Sequence, residues 1–356
     1  MVKQITIIGG GISSIFASIR IKELHPDYEV SVFEHNDKLL KKIYATGNGK
    51  CNYANTGSVQ NKYNHEEFVL PIYERYNASF MIDYLSKLGI APRYNDDLVY
   101  PYSESAETVA NSLLKKVKEL NIKVHLSTDV IEYDKSKIYT NNGAFPYDIL
   151  IISCGGKSSS HLGSSGELWD VLKGHGYKLI DANPSLCPIK TKENTKIVEG
   201  IRSKGKISLY HNNKLIHQEN GEVLFKKDGI SGICIFNLTH YINMLDDKKN
   251  VTIHIDFAPN MNDDISSLVH PKLAKYLLNN NLDIHNTTFT FKSFYDFSFS
   301  QVTSGGISLD DLNPNLESKK EKNVYFIGEI VDIDAICGGF NIMWAFMSAH
   351  LVSNNI

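Results

Sequence analysis

The chain has little cysteine and no long apolar run. Its 356 residues include five cysteines, and no two of them form a Cys-x-x-Cys pair. An odd number of widely spaced cysteines does not indicate a disulfide framework or a zinc site, and the histidines show no metal-ligand spacing. Because the sequence shows no membrane-length apolar segment, secretion signal or lipidation signal, we expect a cytoplasmic protein without a membrane partner and without a bound metal.

A large excess of charge of either sign is also absent. The 37 lysines and arginines nearly balance the 40 aspartates and glutamates, which gives a formal net charge of -3. Such a chain has no general attraction for nucleic acid or anionic membranes, although a local basic patch is compatible with this balance. Composition therefore neither supports nor excludes an RNA substrate. The 42% of hydrophobic residues is enough for a large core and roughly two or three domains.

A nucleotide-binding pattern begins the chain. The apolar run Gln4–Ile8 is followed by Gly9-Gly10-Gly11, an apolar helical periodicity and a second strand that ends on Glu34. This βαβ pattern supports a dinucleotide, since the helix N-terminus attracts the pyrophosphate and the acid accepts bonds from ribose hydroxyls. The third glycine of the usual pattern allows the helix to pack closely against the strand. Ser14 stands at this position, and its small side chain is compatible with such packing. The alternative interpretation is a tight turn beside a solvated glutamate.

Further strands and helices favour an FAD-binding fold over an NAD-binding one. Periodicity predicts helices around Glu66–Leu88 and Glu104–Leu120. A meander is predicted next, and its segments are Lys123–Ser127, Val130–Tyr133, Lys137–Thr140 and, after an Asn142-Gly143 turn, Ile149–Ser153. A three-stranded meander before the next parallel strand is typical of FAD-binding Rossmann-like domains, whereas NAD-binding domains usually have a crossover helix there.

The pattern changes to hairpins from about residue 190. The sequence predicts strands Lys206–Tyr210 and Leu215–Gln218, with turns at Asn212-Asn213 and Asn220-Gly221, and later strands Val251–Phe257 and Thr288–Phe294. One amphipathic stretch, Asp264–Leu278, lies among them. We therefore predict an α/β fold in which residues 1–188 and 301–356 form a Rossmann-like FAD-binding domain of the three-layer, glutathione-reductase-like kind. Residues 189–300 form an inserted, mainly β substrate domain with a short helical segment.

Several segments together resemble one bacterial family of NAD(P)/FAD-dependent oxidoreductases. This family includes the bile-acid-inducible flavoprotein BaiN, YhiN-like proteins and aminoacetone oxidase-like FAD-binding proteins. The segments occur in the family's order, and they are Gly9-Gly10-Gly11, Thr46-Gly47-Asn48-Gly49-Lys50-Cys51-Asn52, Val99-Tyr100-Pro101, Gly155-Gly156-Lys157-Ser158, Gly163-Ser164, Gly221-Glu222-Val223-Leu224-Phe225, Gly229-Ile230-Ser231-Gly232, Thr303-Ser304-Gly305-Gly306, Gly328-Glu329 with Asp332, and Gly338-Gly339-Phe340-Asn341. The chain departs from the family at Lys50, Cys337 and Phe340, where the family usually has Arg, Thr and Tyr.

The resemblance implies an FAD site built from both ends of the chain. It implies cofactor contacts from Gly9, Gly11, Ile12, Ser13, Glu34, Lys42, Thr46, Gly47, Asn48, Gly49, Asn52, Val130, Gly155, Gly156, Gly328, Glu329, Gly338, Gly339, Phe340 and Asn341. Lys50, Cys51 and Asn341 are the candidate catalytic residues. Four of these residues have an alternative interpretation. Cys51 could be an inert buried side chain, Val130 could be a packing residue, Glu329 could be an exposed acid at a strand end, and Gly339 could form a bend that lets two elements pack.

The resemblance also implies oxidoreductase chemistry. We expect an FAD-dependent enzyme that reduces an activated C=C bond of a small-molecule substrate, with NADH or NADPH bound transiently because the chain has only one dinucleotide turn. The alternatives are a flavin-dependent uracil reductase acting on RNA, an amine oxidase of the aminoacetone oxidase type, and a flavin-binding scaffold without turnover. Arg202, Lys204 and Lys206 form a small basic cluster that would suit RNA, although such clusters are usually solvated faces. No feature of the sequence defines the oligomeric state.

Overall fold

A computed structural model describes residues 2–261 and 263–356. Within these ranges the strands are β1 Gln4–Ile8, β2 Glu29–Phe33, β3 Ala54–Asn55, β4 Pro92–Asn95, β5 Leu98–Pro101, β6 Lys123–His125, β7 Val130–Tyr133, β8 Lys137–Thr140, β9 Gly143–Pro146, β10 Ile149–Ile152, β11 Leu179–Ser185, β12 Ile189–Thr191, β13 Arg202–His211, β14 Lys214–Lys226, β15 Gly229–Ser231, β16 Val251–Asp256, β17 Thr287–Phe294, β18 Val302–Ile307 and β19 Val324–Phe326. The α-helices are α1 Ile12–Leu24, α2 Lys41–Ala45, α3 Glu66–Tyr73, α4 Ala78–Lys87, α5 Ala106–Glu119, α6 Leu168–Gly174, α7 Ile233–Asn243, α8 Ile265–Leu268, α9 Pro271–Asn279 and α10 Phe340–Ser353.

A parallel sheet with the strand order β19-β10-β1-β2-β6 organises the first part of the fold. Its central strands β1 and β10 are short, buried runs rich in isoleucine, and parallel strands covered on both faces are usually apolar in this way. Ile8 pairs with Phe33 on one side and with Ile152 on the other, so β1 lies at the centre. Helices α1 and α10 pack together through an edge-to-face contact between Phe16 and Phe346, whose ring centroids are 5.2 Å apart.

The meander consists of different strands from those that the sequence predicts. Its three antiparallel strands are β7, β8 and β9, and Phe145 of β9 contacts Phe33 of the parallel sheet with a centroid distance of 4.9 Å. The predicted strand Lys123–Ser127 ends at His125 and joins β2 in parallel as β6. Pairing with β6 satisfies the backbone groups along the edge of β2, which would otherwise be open.

One predicted helix is two helices. The pattern over Glu66–Leu88 is divided into α3 and α4, because α3 ends at Tyr73 and Asn77 starts a new helix. The Asn77 side chain accepts a hydrogen bond from the Phe80 backbone N–H at 3.0 Å, which satisfies one of the free donors at the start of α4.

A closed barrel forms the second part of the fold, with the strand order β12-β15-β14-β13-β16-β17. Its core is aliphatic and aromatic, and Ile207, Phe225 and Phe289 are among the fully buried side chains. The turn at Asn212-Asn213 is confirmed, since both residues have a left-handed backbone between β13 and β14. The sequence predicts neither the closure nor helix α7.

Two predictions within residues 183–302 are wrong in detail. No turn forms at Asn220-Gly221, because β14 continues through it and Gly221 pairs with Gly205 across the ladder. The amphipathic stretch Asp264–Leu278 is interrupted before Pro271, which starts α9. Proline lacks a backbone N–H and therefore suits the first turn of a helix better than its interior.

The described residues group into two compact units. One comprises residues up to Ala182 together with Thr303–Ile356, and the other comprises Asn183–Val302. The sequence predicts boundaries at 188/189 and 300/301, which lie close to these limits. The domain boundaries themselves stay a prediction.

Candidate cofactor site and comparison with known proteins

Three glycine-bearing turns meet at the carboxyl ends of adjacent parallel strands. Gly9-Gly10-Gly11 follows β1, Gly155-Gly156 follows β10, and Gly328-Glu329 follows β19. Ser13 on α1 contacts Ser153 at the end of β10, with 2.7 Å between the two hydroxyl oxygens. The chain runs from β1 to β2 on one side of β1, and β10 lies on its other side, so the strand order reverses at β1. At such a point, open parallel sheets usually bind ligands in the crevice at the carboxyl ends of the strands.

The glycines at this edge differ in backbone conformation and in what surrounds them. Gly9 has φ +103°, and a β-carbon there would lie 2.3 Å from the carbonyl oxygen of Ser153. Gly328 has φ +72°, and its β-carbon would lie 2.4 Å from the Ser13 hydroxyl oxygen. Gly11 is the residue before α1, where a β-carbon would meet no described atom within 4 Å. The strand-end packing therefore demands glycine at 9 and 328, whereas Gly11 opens onto space at a helix N-terminus.

Glu34 is held at the tip of β2 by its neighbours. Its carboxylate accepts hydrogen bonds from the Gly10 backbone N–H at 2.5 Å and from the Asn36 backbone N–H at 2.8 Å. The Thr128 backbone N–H donates to the Glu34 carbonyl oxygen at 3.0 Å, which brings the chain leading to Val130 alongside. The structure thus places Glu34 beside the first glycine turn, as the sequence predicts, with half-buried Val130 two residues after Thr128.

An ion pair joins two distant site residues. The Lys42 Nζ donates to the Glu329 carboxylate at 2.6 Å and to the Ser158 hydroxyl at 2.7 Å. The other Glu329 oxygen accepts from the Ser158 hydroxyl at 2.6 Å and from the Thr303 backbone N–H at 2.8 Å. Burial raises the pKa of Glu329, but the Lys42 charge and these hydrogen bonds outweigh it, so the pKa lies below its ordinary value. Glu329 is therefore ionised at neutral pH.

Segment 46–52 is a compact loop in which the backbone is left-handed at four positions, Gly47, Asn48, Gly49 and Cys51. The Thr46 carbonyl oxygen accepts from the backbone N–H groups of Gly49 at 3.1 Å and of Cys51 at 3.0 Å. The Thr46 hydroxyl donates to the Lys42 carbonyl oxygen at 2.8 Å, so the loop is fixed directly after α2. Positive φ is uncommon for residues other than glycine and favours glycine and asparagine, which explains the Gly-Asn-Gly sequence.

The candidate catalytic residues of this loop differ in exposure. Cys51 is buried, and burial raises the pKa of its thiol to about 12, so it carries its proton at neutral pH. Lys50 is exposed and donates to Glu104 at 2.9 Å, and this hydrogen bond raises the pKa of the lysine. The Asn52 amide, oriented with its nitrogen toward the carbonyl oxygens of Val99 and Ala54, fixes the loop to β5. The catalytic roles of Lys50 and Cys51 stay predictions.

The last candidate residues lie at the N-terminus of α10. Gly339 has φ +93°, and a β-carbon there would lie 2.9 Å from backbone atoms of Ala54. The Asn341 amide donates to the Ala335 carbonyl oxygen at 2.8 Å and accepts from the Ala335 backbone N–H at 3.0 Å. Both polar ends of the Asn341 side chain thus hold the loop before α10, while Phe340 is buried.

Sequence reasoning gave no role to several residues that the structure brings together. Ser158 and Thr303 lie in the quoted segments, but they contact Glu329 across 171 and 26 residues of chain. His65 carries no pattern at all, yet its Nε2 lies 3.1 Å from the carboxylate of Asp332. Long-range pairing of this kind leaves no local spacing that a single sequence could reveal.

The site suits a dinucleotide with a ribityl chain. It offers open space at Gly11, a lysine beside an ionised acid, and helix N-termini that favour phosphate groups. The fold is that of the Rossmann-type FAD-binding oxidoreductases, which confirms the predicted fold class. Residues 3–355 match the family model described as "HI0933-like protein Rossmann domain", and the chain belongs to this family. None of the described helices has the length and hydropathy needed to cross a membrane.

Curated relatives span nearly the whole chain. It is 26% identical over 398 residues to the 3-dehydro-bile acid delta(4,6)-reductase of Clostridium scindens, which covers 98% of this chain and 97% of the relative. It is 23% identical over 401 residues to the ribosomal RNA dihydrouridine synthase of Haemophilus influenzae, with the same coverage. The resemblance inferred from the motifs is thereby confirmed.

Solved structures support the fold. Escherichia coli quinol fumarate reductase FrdA superposes with a TM-score of 0.55 at 10% identity, covering 100% of this chain and 70% of that chain. The 3-ketosteroid delta1-dehydrogenase of Sterolibacterium denitrificans gives 0.53 at 10% identity, with 99% and 98% coverage. At 10% identity these likenesses show the fold alone. The family and its full-length relatives place the chain among the FAD-dependent oxidoreductases, as the sequence predicts.

Proposed function

We propose that this protein reduces a C=C bond conjugated with a carbonyl group, using bound FAD and NADH or NADPH as the electron donor. The observation that carries the proposal is the convergence of the three glycine turns at the ends of β1, β10 and β19, where Lys42 and Glu329 are paired. The substrate would be a small molecule, and the expected compartment is the cytoplasm.

Chain residues would hold the cofactor along its length. Glu34 suits the ribose hydroxyls, the backbone near Val130 suits the adenine, and Gly9, Gly11, Ile12 and Ser13 suit the pyrophosphate at the start of α1. Lys42 with Glu329, the glycine pair Gly155-Gly156, and residues 46–52 and 338–341 would surround the ribityl chain and the ring. FAD, when bound, supplies hydride transfer between donor and substrate.

The protein must also supply a proton. Reduction of a conjugated C=C bond adds a hydride to one carbon and a proton to its neighbour. Cys51 carries its proton at neutral pH, which suits a general acid better than a nucleophile. Asn341 and Lys50 would orient the substrate carbonyl or stabilise developing negative charge.

The names of the relatives support this reaction class. A bile acid delta(4,6)-reductase and a dihydrouridine synthase both, by their names, saturate a C=C bond in a conjugated ring. The second relative favours uridine in RNA as the alternative substrate. The two candidates share one chemistry and differ in the size and charge of the substrate.

The test is turnover by the FAD-loaded protein. We expect anaerobic NADH or NADPH to bleach the flavin absorbance and a conjugated enone to restore it, with the saturated product found by mass spectrometry. Restoration by a uridine-containing ribosomal RNA fragment, and not by enones, would favour the RNA reaction. Restoration by neither substrate class would contradict C=C reduction, and a flavin reduced by a primary amine would indicate the amine oxidase alternative.

A matched variant identifies the acid. Cys51→Ala should lower the rate of substrate reduction and leave the rate of flavin reduction by the nicotinamide unchanged, because only the first reaction needs the proton. Cys187→Ala is the control, since burial raises the pKa of that thiol to about 12 as well and it lies outside every segment assigned to the cofactor. Equal rates for the two variants would remove Cys51 from the mechanism.

A further inference from the structure

A short segment before α3 lies antiparallel to the loop that connects β19 to α10. Tyr63 and Ala335 form a β-bridge between them, and the Asn64 backbone N–H donates to the Asp334 carbonyl oxygen at 3.1 Å. The Ile336 backbone N–H completes the pairing by donating to the Lys62 carbonyl oxygen at 3.1 Å. We call residues 62–65 the clasp. Its backbone alone fixes the middle of the loop.

Three consecutive side chains of the clasp extend this contact. The Tyr63 hydroxyl donates to the Phe340 carbonyl oxygen at 2.8 Å, in the first turn of α10. The Asn64 amide accepts from the Asp334 backbone N–H at 3.0 Å. The His65 Nε2 lies 3.1 Å from the Asp332 Oδ2, where the ring can donate to the carboxylate. The clasp therefore spans the loop from three residues after Glu329 to the start of α10.

His65 is the clasp residue whose side chain titrates near neutral pH, and acidic groups surround it. Asp332 is its direct partner, Asp334 and Asp310 lie near enough to act on its charge, and its own helix begins with Glu66 and Glu67. The hydrogen bond to Asp332 raises the pKa of His65, and partial burial offsets only part of this effect. The ring is partly exposed whereas the Asp332 carboxylate is mostly buried, so protons can exchange at a pair held within the fold.

We propose that His65 and Asp332 form a positioning pair that couples one protonation on the clasp to the reduction potential of FAD bound at the loop they hold. The proposal rests on the proposed cofactor site. The same loop carries Glu329 at one end and Gly338-Gly339 at the other, so a change in the net charge of the His65–Asp332 pair acts on the part of the site assigned to the flavin.

The direction of the effect follows from charge. Reduction of the flavin adds negative charge, which a neutralised Asp332 opposes less than a free carboxylate does. Protonated His65 therefore favours the reduced cofactor, and the potential falls more steeply with rising pH through the titration of this histidine. By linkage, reduction of the cofactor raises the pKa of His65 by the same free energy.

The test measures the potential of the FAD-loaded protein against a reference dye from pH 5.5 to 9. In the unchanged protein we expect an additional inflection in the plot of reduction potential against pH. Across this inflection the ratio of reduced to oxidised flavin should change by about threefold more than the ordinary pH dependence of the potential gives. His65→Gln keeps a donor toward Asp332 and should abolish the inflection while FAD affinity stays within about twofold. Asp332→Asn should move the inflection to lower pH, because it removes the carboxylate that raises the pKa of His65.

The control is His285→Gln in residues 183–302. His285 pairs with Asp256 at 3.0 Å with similar exposure, and this variant should keep the inflection. A profile for His65→Gln identical to that of the unchanged protein would overturn the proposal. This measurement needs no substrate, so failure to reduce enones or RNA would count against the proposed function alone, whereas failure to bind FAD would contradict both.

Discussion

Gly9 and Gly11 lie two residues apart and have different surroundings. Gly9 is required by its left-handed backbone and by the 2.3 Å approach of the Ser153 carbonyl oxygen, whereas nothing in the described fold would contact a methyl group at Gly11. A glycine pattern read from sequence treats the two alike. The structure shows a folding requirement at Gly9, whereas a binding requirement at Gly11 stays a prediction.

The first prediction uses this difference. Gly9→Ala should lower the free energy of unfolding by about 1–3 kcal/mol, because alanine is strained at positive φ and meets backbone atoms. Gly11→Ala should leave the stability of the FAD-free protein within about 0.5 kcal/mol and weaken FAD binding at least about tenfold. Urea unfolding and FAD titration measure the two quantities. Equal effects on stability would contradict the assignment of Gly11 to the cofactor.

Cys51 gives a second prediction at this scale. Because burial raises the pKa of its thiol to about 12, iodoacetamide at pH 8 should label Cys51 at least about tenfold more slowly in the native protein than in urea. Peptide mass spectrometry after timed quenching measures the rates. Labelling at the same rate in both states would show an accessible thiolate.

Glu329 gives a prediction of pH dependence. Its folded pKa is lowered by Lys42 and its hydrogen bonds, so its contribution to stability is present above the unfolded carboxyl pKa and is lost as pH falls through the folded value. Glu329→Gln should therefore be less stable than the unchanged protein at pH 7, with a smaller difference near pH 4. Urea unfolding at both pH values checks this. A difference that grows on acidification would contradict the sign.

At the scale of elements, short-range patterns were the reliable guide. The buried strands β1 and β10 could be predicted because their apolar runs are bounded by glycine turns. The continuation of β14 through Asn220-Gly221 could not, since this dipeptide is a strong local turn signal and only pairing with β13 keeps the strand straight. Helix α7 is apolar around most of its surface and has no clear helical periodicity.

The division between α3 and α4 gives the element prediction. Asn77→Ala removes the side chain that caps α4 and should cost about 1 kcal/mol of stability, while Asn77→Ser should restore most of it. Thermal unfolding of the three proteins measures this. Equal midpoints for the alanine variant and the unchanged protein would show that the cap contributes nothing.

At the scale of the whole molecule, the site joins residues from both ends of the chain. The loops themselves could be recognised from sequence, since each keeps its glycines and polar residues together. Their pairing could not, because Lys42 and Glu329 are separated by 287 residues and only the strand order brings them together. The contact of His65 with Asp332 cannot be predicted for the same reason. The resemblance to a known family predicts which loops belong to one site.

The most direct test of the central claim is an anaerobic absorbance experiment on the FAD-loaded protein. We expect flavin bands at about 370 and about 450 nm that bleach with NADH or NADPH and return on addition of a conjugated enone or a uridine-containing RNA. The saturated ketone of the same enone should leave the bleached spectrum unchanged. A protein that cannot be loaded with FAD, or whose reduced flavin is reoxidised by neither conjugated substrate, would contradict FAD-dependent C=C reduction.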